Sequence, residues 1–183
     1  RDSYENLYEF DDTVRDAACT CFTVHARIAI LDGLPPKENR DIPPLRYEVA
    51  PQLKQDFPDL EFILNSGIKT LEQCQEHLKP FDGVMLGREA YHNPYLLAEV
   101  DRELFGGNAP QITRAEALAQ LRPYVEAHLP AGGSMPHLPP HVLGLGPGFP
   151  GARNFRPLLS VDLHPTADPL GLLPRAWESP DRR

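Results

Sequence analysis

Phe62-Ile63-Leu64-Asn65-Ser66-Gly67 and Gly83-Val84-Met85-Leu86-Gly87-Arg88 are two short apolar runs, each closing on a glycine. Between them Thr70, with Gln73 three positions on, reads as the capping pair of an intervening helix. Apolar, non-alternating strands joined by a helix run parallel in one sheet, and both faces of such a sheet are expected to be covered. Glycine frees backbone N–H groups, and Arg88 adds a fork of donors suited to a doubly charged anion. Two such turns on consecutive strand ends match the phosphate-holding end of a (β/α)₈ barrel. The fold class read from these strings is therefore α/β, the C-terminal part of a TIM barrel.

Upstream, residues 3–18 form an amphipathic helix with Leu7, Phe10, Val14 and Ala17/Ala18 as its stripe, opened by Asp2 and Glu5. A strand at Cys21-Phe22-Thr23-Val24-His25 follows, and then a Pro-rich loop over 26–45 whose length marks it as functional. A helix over 47–57 ends at Pro58, a strand covers 61–64, a helix 69–78 and a strand 83–86, which makes about three βα units.

Downstream, Asn93-Pro94 opens a helix to 104. Thr113 and Glu116 open another, to 129, with Ala117, Leu118, Leu121 and Val125 on one face. These two form a small helical domain. The segment 131–183 holds ten prolines, seven glycines and no lysine, so an irregular Pro/Gly-rich tail is expected. The domains read as 1–92, a partial barrel; 93–130, helical; and 131–183, the irregular remainder.

The 183 residues fall short of the roughly 200–250 that a complete barrel needs. With Arg1 at its start, the sequence is expected to be a fragment that is inactive by itself. A net charge of −8 argues against nucleic-acid binding through bulk charge but leaves room for a local basic groove. Three cysteines without framework spacing suit a reduced, cytoplasmic setting, and no metal site is expected. No apolar run reaches the roughly 18 residues of a membrane span.

The residues suited to chemistry cluster at strand ends. His25 can handle protons or bind a ligand there, or can be a rim histidine satisfied by a backbone carbonyl. Arg27, in the loop that follows, suits an anion. Asn65, Ser66, Gly67, Gly87 and Arg88 form an anion cradle, or else two ordinary turns. The helix opening at Thr70 adds its dipole on the same side. Pro36-Lys37-Glu38-Asn39-Arg40 is either a solvated loop or a recognition element.

Longer strings carry a resemblance. Val24-His25-Ala26-Arg27, then Gly33-Leu34 with Pro36-Lys37-Glu38-Asn39-Arg40 and Ile42-Pro43-Pro44-Leu45, resemble the A-type tRNA-dihydrouridine synthases. So do Gly67-Ile68-Lys69-Thr70-Leu71 after Asn65, and Asp82-Gly83-Val84-Met85 with Gly87-Arg88-Glu89-Ala90-Tyr91 and Asn93-Pro94. The resemblance implies a flavoenzyme on a TIM barrel with a small helical domain, reducing a D-loop uridine of tRNA. FMN would be bound and NADPH the reductant. It implies the flavin phosphate at Asn65, Ser66, Gly67, Gly87 and Arg88, and His25 beside the flavin ring with Arg27 nearby. Lys37, Asn39 and Arg40 would face tRNA, joined by Arg153 and Arg156 in the tail.

The family's acid cysteine lies on a loop after an earlier strand, so no catalytic residue is expected within this sequence; the cysteine would precede Arg1. Ser66 stands where the family usually has glycine. Ile28 and Ile30 replace a lysine and a tryptophan, and Pro139, Pro140 and Pro157 replace arginine or threonine, which weakens the expected tRNA contact of the tail. Two other readings compete: another TIM-barrel enzyme binding a phosphorylated small molecule, and a non-catalytic remnant.

Overall fold

The structure is a computed structural model that describes residues 3–30, 32–128, 139–146 and 148. It divides into two compact units, Arg1–Gly87 and Arg88–Arg183.

The first unit is built on a parallel three-stranded sheet, β1 (Cys21–His25), β2 (Glu61–Asn65) and β3 (Gly83–Met85), in that spatial order. Helix α1 (Tyr4–Asp16) precedes β1, α2 (Val49–Asp56) precedes β2, and α3 (Leu71–His77) precedes β3. The register sets His25 opposite Asn65, and Asn65 opposite Met85, so the three C-terminal strand ends lie level. Residues leaving those ends therefore share one rim.

Burial alternates along the strands instead of being continuous. Phe22, Phe62 and Leu64 are buried with Ala50 and Leu53 of α2 and with Leu71 and Cys74 of α3, and the Phe22 and Phe62 rings stack at 5.7 Å. The period of two places Thr23, His25, Ile63, Asn65 and Met85 on the other face. There Thr23, His25 and Met85 are exposed and Ile63 and Asn65 half-buried. Within these residues one face of the sheet is thus packed and the other is open, and the apolar character of β2 comes from the packed face plus Ile63.

Helix α1 opens differently from the expected pair. Ser3, not Asp2, is the N-cap, its hydroxyl accepting from the Asn6 N–H. The inward stripe also differs. Tyr4, Leu7, Asp11 and Val14 follow the 3-4-3 spacing of one helix face, so Asp11 is 2% exposed while Phe10, one step round, is 61% exposed. The helix docks on Phe57, just past α2: Tyr8 stacks on that ring at 4.8 Å, Arg15 lies over it at 5.3 Å, and the Tyr4 hydroxyl donates to the Asp56 carboxylate. Lys54 on α2 donates to Leu60 O at 2.7 Å and pairs with Asp82 at 2.9 Å, and Asp82 accepts from the Phe62 N–H. That hydrogen bond from Lys54 holds the Asp82 carboxyl below the usual carboxylate range.

In the second unit, α4 (Arg88–His92) leads into a 3₁₀ turn (Pro94–Glu99) and α5 (Val100–Phe105), where one helix to 104 was expected. Helix α5 ends on Gly106 at φ +66°. The expected helix over 113–129 is divided into α6 (Arg114–Ala119) and α7 (Arg122–His128). Pro123 explains the division: it has no N–H for the Ala119 carbonyl, but it fits the first turn of a new helix. In the proline-rich tail, α8 (Pro139–Val142) and a 3₁₀ turn (Leu143–Leu145) form, the two prolines again occupying a first helical turn. Leu118, Val142 and Leu145 are buried, and Arg114 lies over Tyr95 at 3.7 Å while donating to Leu145 O.

Candidate functional site

The rim of the sheet carries three chain exits: Ala26-Arg27 after β1, Ser66-Gly67 after β2 and Leu86-Gly87 after β3. His25 and Asn65 are direct neighbours across β1 and β2, and the Ala26 N–H donates to Asn65 O at 2.9 Å. The structure therefore brings His25, Asn65, Ser66 and Gly67 together at one end of the sheet. Arg88 follows Gly87 in the chain and opens α4.

The turn after β2 is unusual. Gly67 has φ +75°, and Ser66, which is not glycine, has φ +108°. The second value lies where L-residues are strained, at a cost of about 1–3 kcal/mol. Among the described residues the Gly67 N–H donates to no protein acceptor, whereas the Asn65–Met85 pairing turns the Ser66 N–H toward the Met85 carbonyl of β3. A Cβ on Gly67 would sit 2.6 Å from Leu45 Cδ1 and 2.7 Å from Tyr47 Oη, so any larger residue there has to displace both side-chain ends as well as hold a positive φ. Glycine at position 66 removes the strain, and Ser66→Gly is expected to stabilise the protein by about 1 kcal/mol. Denaturant titration checks this; an unchanged or lowered midpoint would mean that the Ser66 side chain contributes more than its backbone costs.

The opening of α3 gives less to an anion than the sequence suggests. Gln73 Oε1 accepts from the N–H groups of Lys69 and Thr70, and Thr70 Oγ1 accepts from that of Gln73, so the capping box itself occupies these donors.

Arg27 turns toward the long loop. Its guanidinium donates to Asp41 O at 2.7 Å and to Pro43 O, and the fully buried Pro43 anchors that stretch. The Arg27 Nε is buried with no partner among the described residues. An antiparallel bridge pairs Arg27 with Leu45, and the Arg46 N–H donates to Ala26 O, which closes the loop base. Asn39 closes the loop from within: its Oδ1 accepts from the Ile30 N–H, and its Nδ2 donates to Ile30 O and Leu34 O. Both hydrogens of that amide are thereby occupied. Lys37 and Arg40, on and beside the 3₁₀ turn (Glu38–Arg40), remain exposed on the loop surface. Arg153 and Arg156 lie outside the described residues.

The three cysteines stand away from this rim. Cys21 opens β1 at the opposite end of the sheet from His25, Cys19 lies just before it, and Cys74 is buried in α3 with its thiol pushed up by burial. Among the described residues no group of three or more His, Cys, Asp or Glu side chains could hold a metal, and no helix is long and apolar enough to cross a membrane. Tyr47 and Leu45, which line the Gly67 turn, are absent from the sequence-derived site; Leu45 closes one of the strings that carry the resemblance, and Tyr47 follows just after the long loop.

Three parallel strands, each preceded by a helix, with a glycine turn at their C-terminal rim define an α/β protein of the barrel type. The sequence profile of the dihydrouridine synthase (Dus) family matches residues 1–168, and the chain belongs to that family. It is 66% identical over 178 residues, 97% of its length, to the tRNA-dihydrouridine(20/20a) synthase of Pseudomonas putida, and covers 53% of that relative. It is 68% identical over 176 residues to the synthase of the same name from Pseudomonas syringae, covering 96% of the chain and 52% of the relative. With the Yersinia pestis synthase it shares 52% identity over 164 residues, 89% of the chain and 48% of the relative. The chain thus spans about half the length of the curated relatives it matches.

Proposed function

We propose that the chain is the C-terminal portion of an FMN-dependent tRNA-dihydrouridine synthase that reduces a D-loop uridine with NADPH in the cytoplasm. The observation that carries the reading is the Ser66-Gly67 turn: a positive-φ turn at the sheet rim, just past the His25–Asn65 pair, whose Gly67 N–H has no acceptor among the described residues. Asn65, Ser66, Gly67 and Gly87, with Arg88 next in the chain, would hold the flavin phosphate. His25, on the sheet face that shares Asn65 and Met85, would lie beside the ring. When bound, the flavin supplies the hydride chemistry.

The chain's own residues bind and orient. Glycine lets the backbone approach a phosphate closely, and unspent N–H groups neutralise its charge without side-chain entropy. Lys37 and Arg40 would offer phosphate contacts to tRNA from a loop whose shape Arg27 and Asn39 maintain. Arg153 and Arg156 would extend that surface. The acid that protonates the uracil carbon opposite the hydride would come from a cysteine outside these residues. Another phosphate-binding barrel would share the glycine turns, but the family membership favours the synthase.

The test uses the protein purified without added flavin. Weak FMN retention without NADPH-dependent reduction of a D-loop uridine by these 183 residues alone is the expected result, and robust turnover by them would overturn the fragment reading. A protein that takes up a sugar phosphate but no flavin would overturn the reading.

A further inference from the structure

We infer that Tyr47 is a positioning residue for the cofactor turn: its hydroxyl fixes the peptide plane between Ser66 and Gly67, and so aims the Gly67 N–H outward as a phosphate donor. This rests on the flavin reading above.

The Tyr47 hydroxyl donates to Ser66 O at 2.8 Å. Its ring leans on His77 at 4.5 Å and 50°, which limits its swing. Burial pushes the phenol pKa up, so it stays a donor at working pH. Together with Leu45 it fills the space on one side of Gly67, as the 2.6 and 2.7 Å approaches to a hypothetical Cβ show.

In a trans peptide the C=O and the following N–H point in opposite directions. Capturing Ser66 O on the Tyr47 side therefore leaves the Gly67 N–H on the other side, where it meets no protein acceptor among the described residues. The orientation of this peptide is set by ψ of Ser66 and by the positive φ of Gly67, and the phenol is the group that bonds it. Without the hydroxyl, the peptide can rotate and present a carbonyl oxygen where the phosphate needs a donor. Such a rotation penalises a phosphate and leaves an uncharged ring system largely unaffected.

The experiment compares FMN with riboflavin, which lacks the phosphate, on flavin-stripped protein and on Tyr47→Phe, a change that keeps the ring against His77. FMN affinity is expected to fall about tenfold, the scale of one lost charge-assisted contact, while riboflavin affinity holds within about twofold. The Gly67 amide-to-α-proton couplings, which report the φ on the far side of this peptide, are expected to change as well. Leu45→Ala, which leaves the hydroxyl bond in place, is expected to weaken both flavins alike. Equal losses for FMN and riboflavin in Tyr47→Phe, or no loss, with unchanged Gly67 couplings, would overturn the proposal. If the unsubstituted protein binds neither flavin, the flavin reading fails by itself. The Gly67 couplings in Tyr47→Phe then decide alone whether the phenol sets this turn.

Discussion

Gly67→Ala is expected to destabilise the protein by about 2–3 kcal/mol, combining the left-handed backbone penalty with a lost hydrogen bond. The backbone part follows from φ +75°. The packing part follows from where the new methyl lands, 2.6 Å from Leu45 Cδ1 and 2.7 Å from Tyr47 Oη. Both are ends of side chains, so they move before the backbone does. Moving Tyr47, however, breaks its bond to Ser66 O, the contact that orients the turn. The substitution is therefore expected to abolish FMN retention as well as lower the unfolding midpoint. The double variant with Tyr47→Phe separates the two parts. If the methyl acts through the phenol, Gly67→Ala costs less stability in the Tyr47→Phe background than in the parent, a non-additivity readable by urea titration. Strictly additive losses would show that only the backbone penalty operates.

The legible and illegible parts of this protein divide along physical lines. The strands and the Thr70–Gln73 capping box could be read because each depends on residues adjacent in sequence. Glycine ending β2 pointed to the turn for the same reason. The contributions of Tyr47 and Leu45 could not be read, since each acts across the closure of a loop on a residue far along the chain. Arg27 and Asn39 show the same limit. Their types suggest ligand contacts, yet their partners are carbonyls and N–H groups of their own loop, set by its folded path. Lys37 and Arg40 on that loop stay exposed and keep the polar character their sequence suggested. The helix break before Pro123 was readable and was outweighed by the apolar period on either side.

Asp11→Leu is expected to stabilise the protein at neutral pH, an unusual sign for a substitution at a buried position. Asp11 lies on the inward stripe of α1 at 2% exposure, and its Oδ2 has no hydrogen-bond partner among the described residues. Burial pushes its pKa from 3.8 up to about 6. A carboxyl raised in the folded state binds its proton more tightly there than in the unfolded chain. Its relative stabilisation is thus complete below about pH 4 and is lost as pH rises through about 6. Near pH 7.5 holding the ionised form in this site costs on the order of 3 kcal/mol. Leucine removes that charge and adds apolar contact beside Leu7 and Val14 on the same face. The advantage of the variant over the parent should be largest above pH 7 and shrink toward pH 4, where the parent carboxyl is neutral. Urea titrations at several pH values test this. Parallel stability profiles for parent and variant would show that the buried carboxyl is not the source of the pH dependence. Asp11→Asn, which is neutral but still polar, is expected to recover the pH-independent profile with a smaller gain.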